Sequence, residues 1–110
     1  MPIAINIVRI DANLQLQCFR AKSGDWIGVC EPLKITVQSE TWGELMEDFA
    51  DTLNGMLADL LSTNELDRFM RDHGWTTIGQ IPSKPENVRF DLPFFPAVTA
   101  NNGPQRSFYQ

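Results

Sequence analysis

Residues 41–61 divide apolar from acidic side chains along what reads as one helix. At about 100° per residue, Trp42, Leu45, Met46, Phe49, Leu53, Met56, Leu57 and Leu60 fall within an arc of roughly 120°. Glu44, Glu47, Asp48, Asp51 and Asp59 fall on the opposite side. The apolar stripe is a core-facing one, and such a helix is held mainly by the layer it packs against. The helix start is marked by Thr41-Trp42-Gly43-Glu44, a capping box in which the Thr41 hydroxyl accepts the Glu44 amide and the Glu44 carboxylate reaches back to the Thr41 amide.

Charge follows the same division. From residue 35 to 67 there are eight acidic side chains (Glu40, Glu44, Glu47, Asp48, Asp51, Asp59, Glu65, Asp67) and no Lys or Arg. The flanking segments are slightly basic, so the net charge of -5 is concentrated in this region. Without Lys or Arg at i+4, repulsion along the helix is unrelieved from within its own segment. The stripe reads either as a solvated face or as a surface for a basic partner. A pI near 4.6 argues against a nucleic-acid binder that works by neutralising phosphates.

The helix is set among strands. Ile3, Ile5 and Ile7 alternate with Ala4, Asn6 and Val8, an apolar pattern on both faces that predicts a strand covered on both sides. Leu14, Leu16 and Cys18 alternate with Gln15, Gln17 and Phe19 as in a half-buried strand. Ser23-Gly24 signals a turn, residues 26–30 form a further strand, and Ile35 and Val37 another. The connections are too short for parallel crossovers, which predicts an antiparallel meander. A second capping box, Ser62-Thr63-Asn64-Glu65, predicts a restart into a short helix carrying Leu66, Phe69 and Met70, with Gly74 as its left-handed stop. Residues 75–81 are β-prone and are expected to return to the sheet.

At 110 residues the chain is expected to be one α+β domain over residues 1–81, with a Pro-rich C-terminal arm over 82–110. Five prolines of the arm (Pro82, Pro85, Pro93, Pro96, Pro104) preclude long regular structure. Yet Val88, Phe90, Leu92, Phe94 and Phe95 are too apolar to be left in water. Either an edge strand over 87–92 docks on the same subunit's sheet, or Phe90, Leu92, Phe94 and Phe95 mediate oligomerisation. Residues 101–110 read as disordered unless Phe108 and Tyr109 are tied down.

The first ten residues lack the pattern of a signal peptide, no apolar run approaches the ~20 residues of a membrane span, and the expected compartment is the cytoplasm. Cys18 and Cys30 are too few for a disulfide framework and read as reduced, buried thiols. A two-metal nuclease needs converging carboxylates. The candidates Asp11, Asp25 and Glu31 lie in or beside turns, and residues 3–10 contain no acid. Cys18, Cys30 and His73 are too widely spaced for a zinc motif. His73 falls in the last turn of the second helix, where the helix dipole favours a cation. No catalytic residue, metal or cofactor is therefore expected. Trp26, Trp42 and Trp75 read as packing residues, with Trp42 the candidate for an exposed anchor beside the acidic face.

Three segments together carry a family resemblance: Gly24-Asp25-Trp26-Ile27-Gly28-Val29, Thr41-Trp42-Gly43-Glu44-Leu45, and Phe69-Met70-Arg71-Asp72-His73-Gly74-Trp75. In this order of elements the chain resembles the HicB-like antitoxin superfamily over roughly residues 14–81. The resemblance implies a partial RNase H-like α+β domain, non-enzymatic, that binds and neutralises a small basic RNA-cleaving toxin. The family's Pro-Asp-x-Pro-Gly-like turn is replaced here by Cys30-Glu31-Pro32-Leu33-Lys34, and nothing after Pro82 has the periodicity of a DNA-binding helix. The expected partners are a basic toxin and further copies of the chain, with no direct nucleic-acid or membrane binding. The partner-facing residues would be Glu44, Glu47, Asp48 and Asp51, with Trp42. The alternative is an orphan oligomeric binding or chaperone-like scaffold whose adhesive element is the arm.

Overall fold

The computed structural model describes residues 6–79 and 88–99. The fold is α+β, and the described residues form seven strands in two mixed sheets, a long helix and a short second helix. The strands are β1 (Asn6–Asp11), β2 (Gln15–Arg20), β3 (Trp26–Cys30), β4 (Ile35–Ser39), β5 (Thr76–Ile78), β6 (Val88–Asp91) and β7 (Phe95–Val98). The helices are α1 (Trp42–Ser62) and α2 (Leu66–His73). Two compact units share the chain: one draws on Met1–Asn13 and Ala50–Pro93, the other on Leu14–Phe49 and Phe94–Gln110.

The second of these contains the meander. Strands β2, β3 and β4 pair antiparallel through short turns, and β7 adds in parallel beside β2, giving the order β4-β3-β2-β7. At the first turn Gly24 takes φ +95°, a left-handed conformation that glycine adopts without steric cost. At the second turn, Lys34 carries the left-handed conformation with φ 56° and donates its N–H to the Glu31 carbonyl. Leu16, Cys18 and Cys30 are fully buried on one face of this sheet, and the first eight residues of α1 bring Leu45 and Phe49 into the same unit. The Phe49 ring meets Phe94 edge-on at 4.7 Å. Phe95 of β7 and Thr99 just after it donate their N–H groups to the carbonyls of Leu14, just before β2, and Cys18 of β2. Pro96 therefore alternates to the open edge, where its missing N–H removes a donor that another strand could use.

In the other unit β1 is central, with β5 antiparallel on one side and β6 parallel on the other. Only one face of β1 is covered: Val8 and Ile10 are buried, whereas Ile7 is 60% exposed. The expectation of a strand covered on both sides is thus corrected. Apolar alternation on the outer side reflects Ile7 standing in water beside Arg9. Phe90 and Leu92 turn inward with β6 and are buried in their own unit. The Phe90 N–H is taken by the Asn54 Oδ1 of α1 at 2.7 Å, so this donor is satisfied by a side chain in place of a strand. Replacing Asn54 by Leu would leave that half-buried N–H without its acceptor, at a cost of about 1–3 kcal/mol. Asn54→Asp, which keeps an oxygen there, should lose much less, as urea unfolding of the two variants would reveal.

Helix α1 buries Leu45, Phe49, Leu53, Leu57 and Leu61, one residue every four. Each contributes about 1.5–3 kcal/mol by leaving water. The helix starts as the capping box predicts on one side, with the Glu44 N–H donating to Thr41 Oγ1 at 3.1 Å. The Thr41 hydroxyl in turn donates to the Glu44 carboxylate at 3.2 Å. The helix ends within one residue of the expected Leu61, but the second capping box expected at residues 62–65 does not form. Ser62 is the last helical residue and donates its hydroxyl back to the Asp59 carbonyl, while α2 begins after Glu65 with no side-chain cap. Asn64, at φ 62°, closes α1 instead: its N–H reaches the Leu61 carbonyl and that of Glu65 reaches Leu60, a Schellman ending. The same ending recurs at α2, where Gly74 (φ 71°) bonds Arg71 and Trp75 bonds Met70. None of the helices among the described residues is long and apolar enough to cross a membrane.

Candidate functional site

The N-terminal turns of α1 hold most of the candidate acids. Glu44 and Glu47 are exposed, and neither makes an ion pair among the described residues. Asp48 is committed differently. Its carboxylate accepts a 2.5 Å hydrogen bond from the hydroxyl of Ser39, which is 8% exposed at the end of β4. A charge-assisted bond of this kind ties helix to sheet, so Asp48 has a structural duty alongside its charge.

Asp51 lies in the other unit and faces Arg89 of β6 at 3.8 Å, with both side chains more than half exposed. Such a pair contributes about 0–1 kcal/mol, but it places a cation on the acidic side of the helix. Reading the charges of residues 35–67 alone misses Arg89, because the partner enters from a strand far along the chain.

Trp42 opens α1 half-buried and packs edge-on against Trp26 of β3, with ring centres 5.0 Å apart and planes at 74°. The Arg20 guanidinium lies 5.0 Å from the centre of the Trp26 ring. In the sheet register Arg20 stands opposite Trp26 and Trp26 opposite Ser39, a row that meets Trp42 and Asp48 of the helix. Beside it the Gln38 amide donates to Asp25 at 2.7 Å. Within this unit the structure therefore gathers Trp42, Glu44, Glu47 and Asp48 at one end of the sheet. The arrangement offers a half-exposed aromatic pair next to carboxylates, suited to cationic side chains through charge and ring-face attraction.

The remaining candidates are dispersed. Phe94 is half-buried against Phe49 and Phe95 is 58% exposed on β7, while Phe90 and Leu92 are buried in the other unit. No group of three or more His, Cys, Asp or Glu among the described residues could hold a metal ion. His73 Nδ1 is 2.9 Å from the Phe69 carbonyl, and its ring stacks 4.1 Å from Phe69 and 5.2 Å from Trp75. This aromatic cluster finishes α2. Alongside it, a cleft of about 280 Å³ is lined by Asp67, Met70, Arg71, Trp75, Thr76 and Thr77. Its volume falls at the small end for ligand pockets, and the Asp67–Arg71 ion pair bridges two of its lining residues.

Cys18 and Cys30 are free and fully buried. Burial pushes both thiols up from their ordinary value, against hydrogen bonds from the backbone at Ala97 and Leu33 respectively. Folded chains thus keep both protons where unfolded chains lose theirs. Stability is full below the ordinary thiol value of 9.0 and falls as pH rises past it. Both thiols should resist a disulfide reagent in the native state and react fully in denaturant, as a colorimetric thiol assay would record.

Comparison of the chain with protein-family models, with curated proteins and with solved structures finds no match in any of the three.

Proposed function

We propose that this chain is a non-enzymatic interaction protein of the HicB-like antitoxin type, cytoplasmic, whose acidic α1 surface binds and neutralises a small basic RNA-cleaving toxin. The observation that carries the reading is the exposure of Glu44 and Glu47 beside the half-exposed Trp26–Trp42 pair. Glu44, Glu47, Asp48 and Asp51 act as charges facing Lys or Arg of the partner, and Trp42 as the aromatic anchor among them. Complementary charge would speed encounter and select the partner more than it would add affinity. The resemblance in the three sequence segments supports the class of partner.

The testing experiment uses the intact protein as bait in its native lysate, washed at rising salt. A small basic protein, released as salt passes several hundred millimolar and able to cleave RNA only when free of the bait, is the expected result. Recovery of no basic protein would overturn the reading. The alternative, an orphan oligomeric scaffold without a toxin, is favoured by one observation: Phe95 and Val98 are each 58% exposed on β7. It would leave the lysate with only copies of the bait.

A further inference from the structure

We infer that the free edge of β4 is a docking site for an extended, cationic segment of a partner, which joins the sheet as a further strand. Among the described residues β4 pairs with β3 only, so it stands at one end of the order β4-β3-β2-β7. Every second residue of such a strand turns its N–H and C=O away from the sheet, toward any chain able to pair with them. Proteins blunt their sheet edges with Pro, Lys or a bulge. The opposite edge, β7, has Pro96. Ile35–Ser39 has neither Pro nor Lys, and its register with β3 runs unbroken through five residue pairs.

The inner face of β4 is also incomplete. Ile35, Val37 and Ser39 alternate on the face that β2 and β3 fill with Leu16, Cys18 and Cys30, all fully buried. Ile35 and Val37 are only half-buried there, and the β3 neighbour of Val37 is Gly28, which has no side chain. An added strand would lay its apolar side chains beside these two. Charge selects the occupant. Residues 35–49 contain Glu40, Glu44, Glu47 and Asp48 and no Lys or Arg. Two of these acids lie at the Ser39 end of β4: Glu40 follows Ser39 directly, and Asp48 accepts the Ser39 hydroxyl. Glu40 is exposed and makes no ion pair among the described residues. Over residues 14–49 six acids stand against three bases, so a second copy would bring the same excess of negative charge that a cationic strand neutralises. The inference rests on the proposed function for the sign of the partner's charge and adds how the partner is held.

The probe is an end-capped peptide of alternating Lys and Val, about seven residues long, added to the isotope-labelled full chain up to about 1 mM at low salt. Binding should shift the amide resonances of Ile35–Ser39 and slow hydrogen exchange at the outward-facing ones. N-methylation of alternate peptide residues gives two isomers, of which one keeps the donors that face β4. That isomer should bind as the parent does, and the other at least about tenfold more weakly. The double variant Thr36→Lys/Glu40→Lys, changed at two exposed positions, should hold the parent peptide at least about tenfold more weakly. If circular dichroism shows that variant unfolded, the isomers decide. Equal binding of the two isomers would mean attraction to the acidic surface alone. Slow exchange at β4 in the free protein, growing with its concentration, would make a second copy the occupant. Either result overturns the inference, as does no binding at about 1 mM. None of them touches the toxin reading, which fails separately when the lysate yields no basic protein.

Discussion

Phe49→Ala should cost about 3–5 kcal/mol of unfolding free energy, a large share of the 5–15 kcal/mol that small domains possess. Phe49 is completely buried in the middle of α1, and its ring meets Phe94 edge-on at 4.7 Å. Truncation removes the transfer energy of the ring, opens a cavity that the helix backbone cannot close, and deprives Phe94 of its partner. Phe94→Ala should cost less, because Phe94 is only half-buried. The double variant should lose less than the two singles together, as expected for side chains in contact. Urea unfolding measures all three, and a loss below about 1 kcal/mol for Phe49→Ala would contradict the packing described.

The second large effect comes from adding atoms. A Cβ built on Gly28 would lie 3.1 Å from both δ-carbons of Leu16 and 3.2 Å from its γ-carbon. Leu16 is fully buried and comes from the neighbouring strand, so it has little room to retreat. Gly28→Val, with two further methyls, should therefore destabilise by about 1–3 kcal/mol, near the upper end of that range. Leu16→Ala opens the space those methyls would enter. Combining the two substitutions should give less than the sum of their separate losses, and strict additivity would refute the steric account.

These two sites also mark how far the sequence could be read. The buried spine of α1 was legible from its helical period, because one continuous helix enforces that spacing whatever lies opposite. Its margin was not: Leu61 is buried where Leu60 was expected, and Trp42, Met46, Met56 and Leu60 are half-exposed. The meander β2-β3-β4 was legible because local turns at Gly24 and Pro32 connect neighbours in sequence. Strand β7 beside β2 joins residues as far as 81 apart, from Thr99 to Cys18, and such pairing leaves no local signature. The helix ends within one residue of the expected Leu61, but Ser62-Thr63-Asn64-Glu65, which matches a capping box, does not cap α2, because Asn64 tolerates the left-handed ending that is formed instead.

For the candidate surface, the acidic face could be read from charge spacing alone. The tie from Ser39 to Asp48, the Trp26–Trp42 contact and the Arg89 counter-charge could not, since each brings together residues that only the tertiary fold makes neighbours. The distinction matters for mutagenesis. Changing Asp48 would disturb both charge and the helix–sheet tie, whereas Glu44→Gln keeps an acceptor suited to the capping box and Glu47 has no hydrogen bond or ion pair among the described residues.

The most direct test is therefore retention of lysate proteins on the native chain and on the Glu44→Gln/Glu47→Lys double variant, side by side over a salt gradient. The account predicts a small basic protein held by the native chain, released by salt, and held at least about tenfold more weakly by a variant that is equally folded. Equal retention by both, at every salt concentration, would contradict the claim that the acidic surface of α1 engages a basic partner.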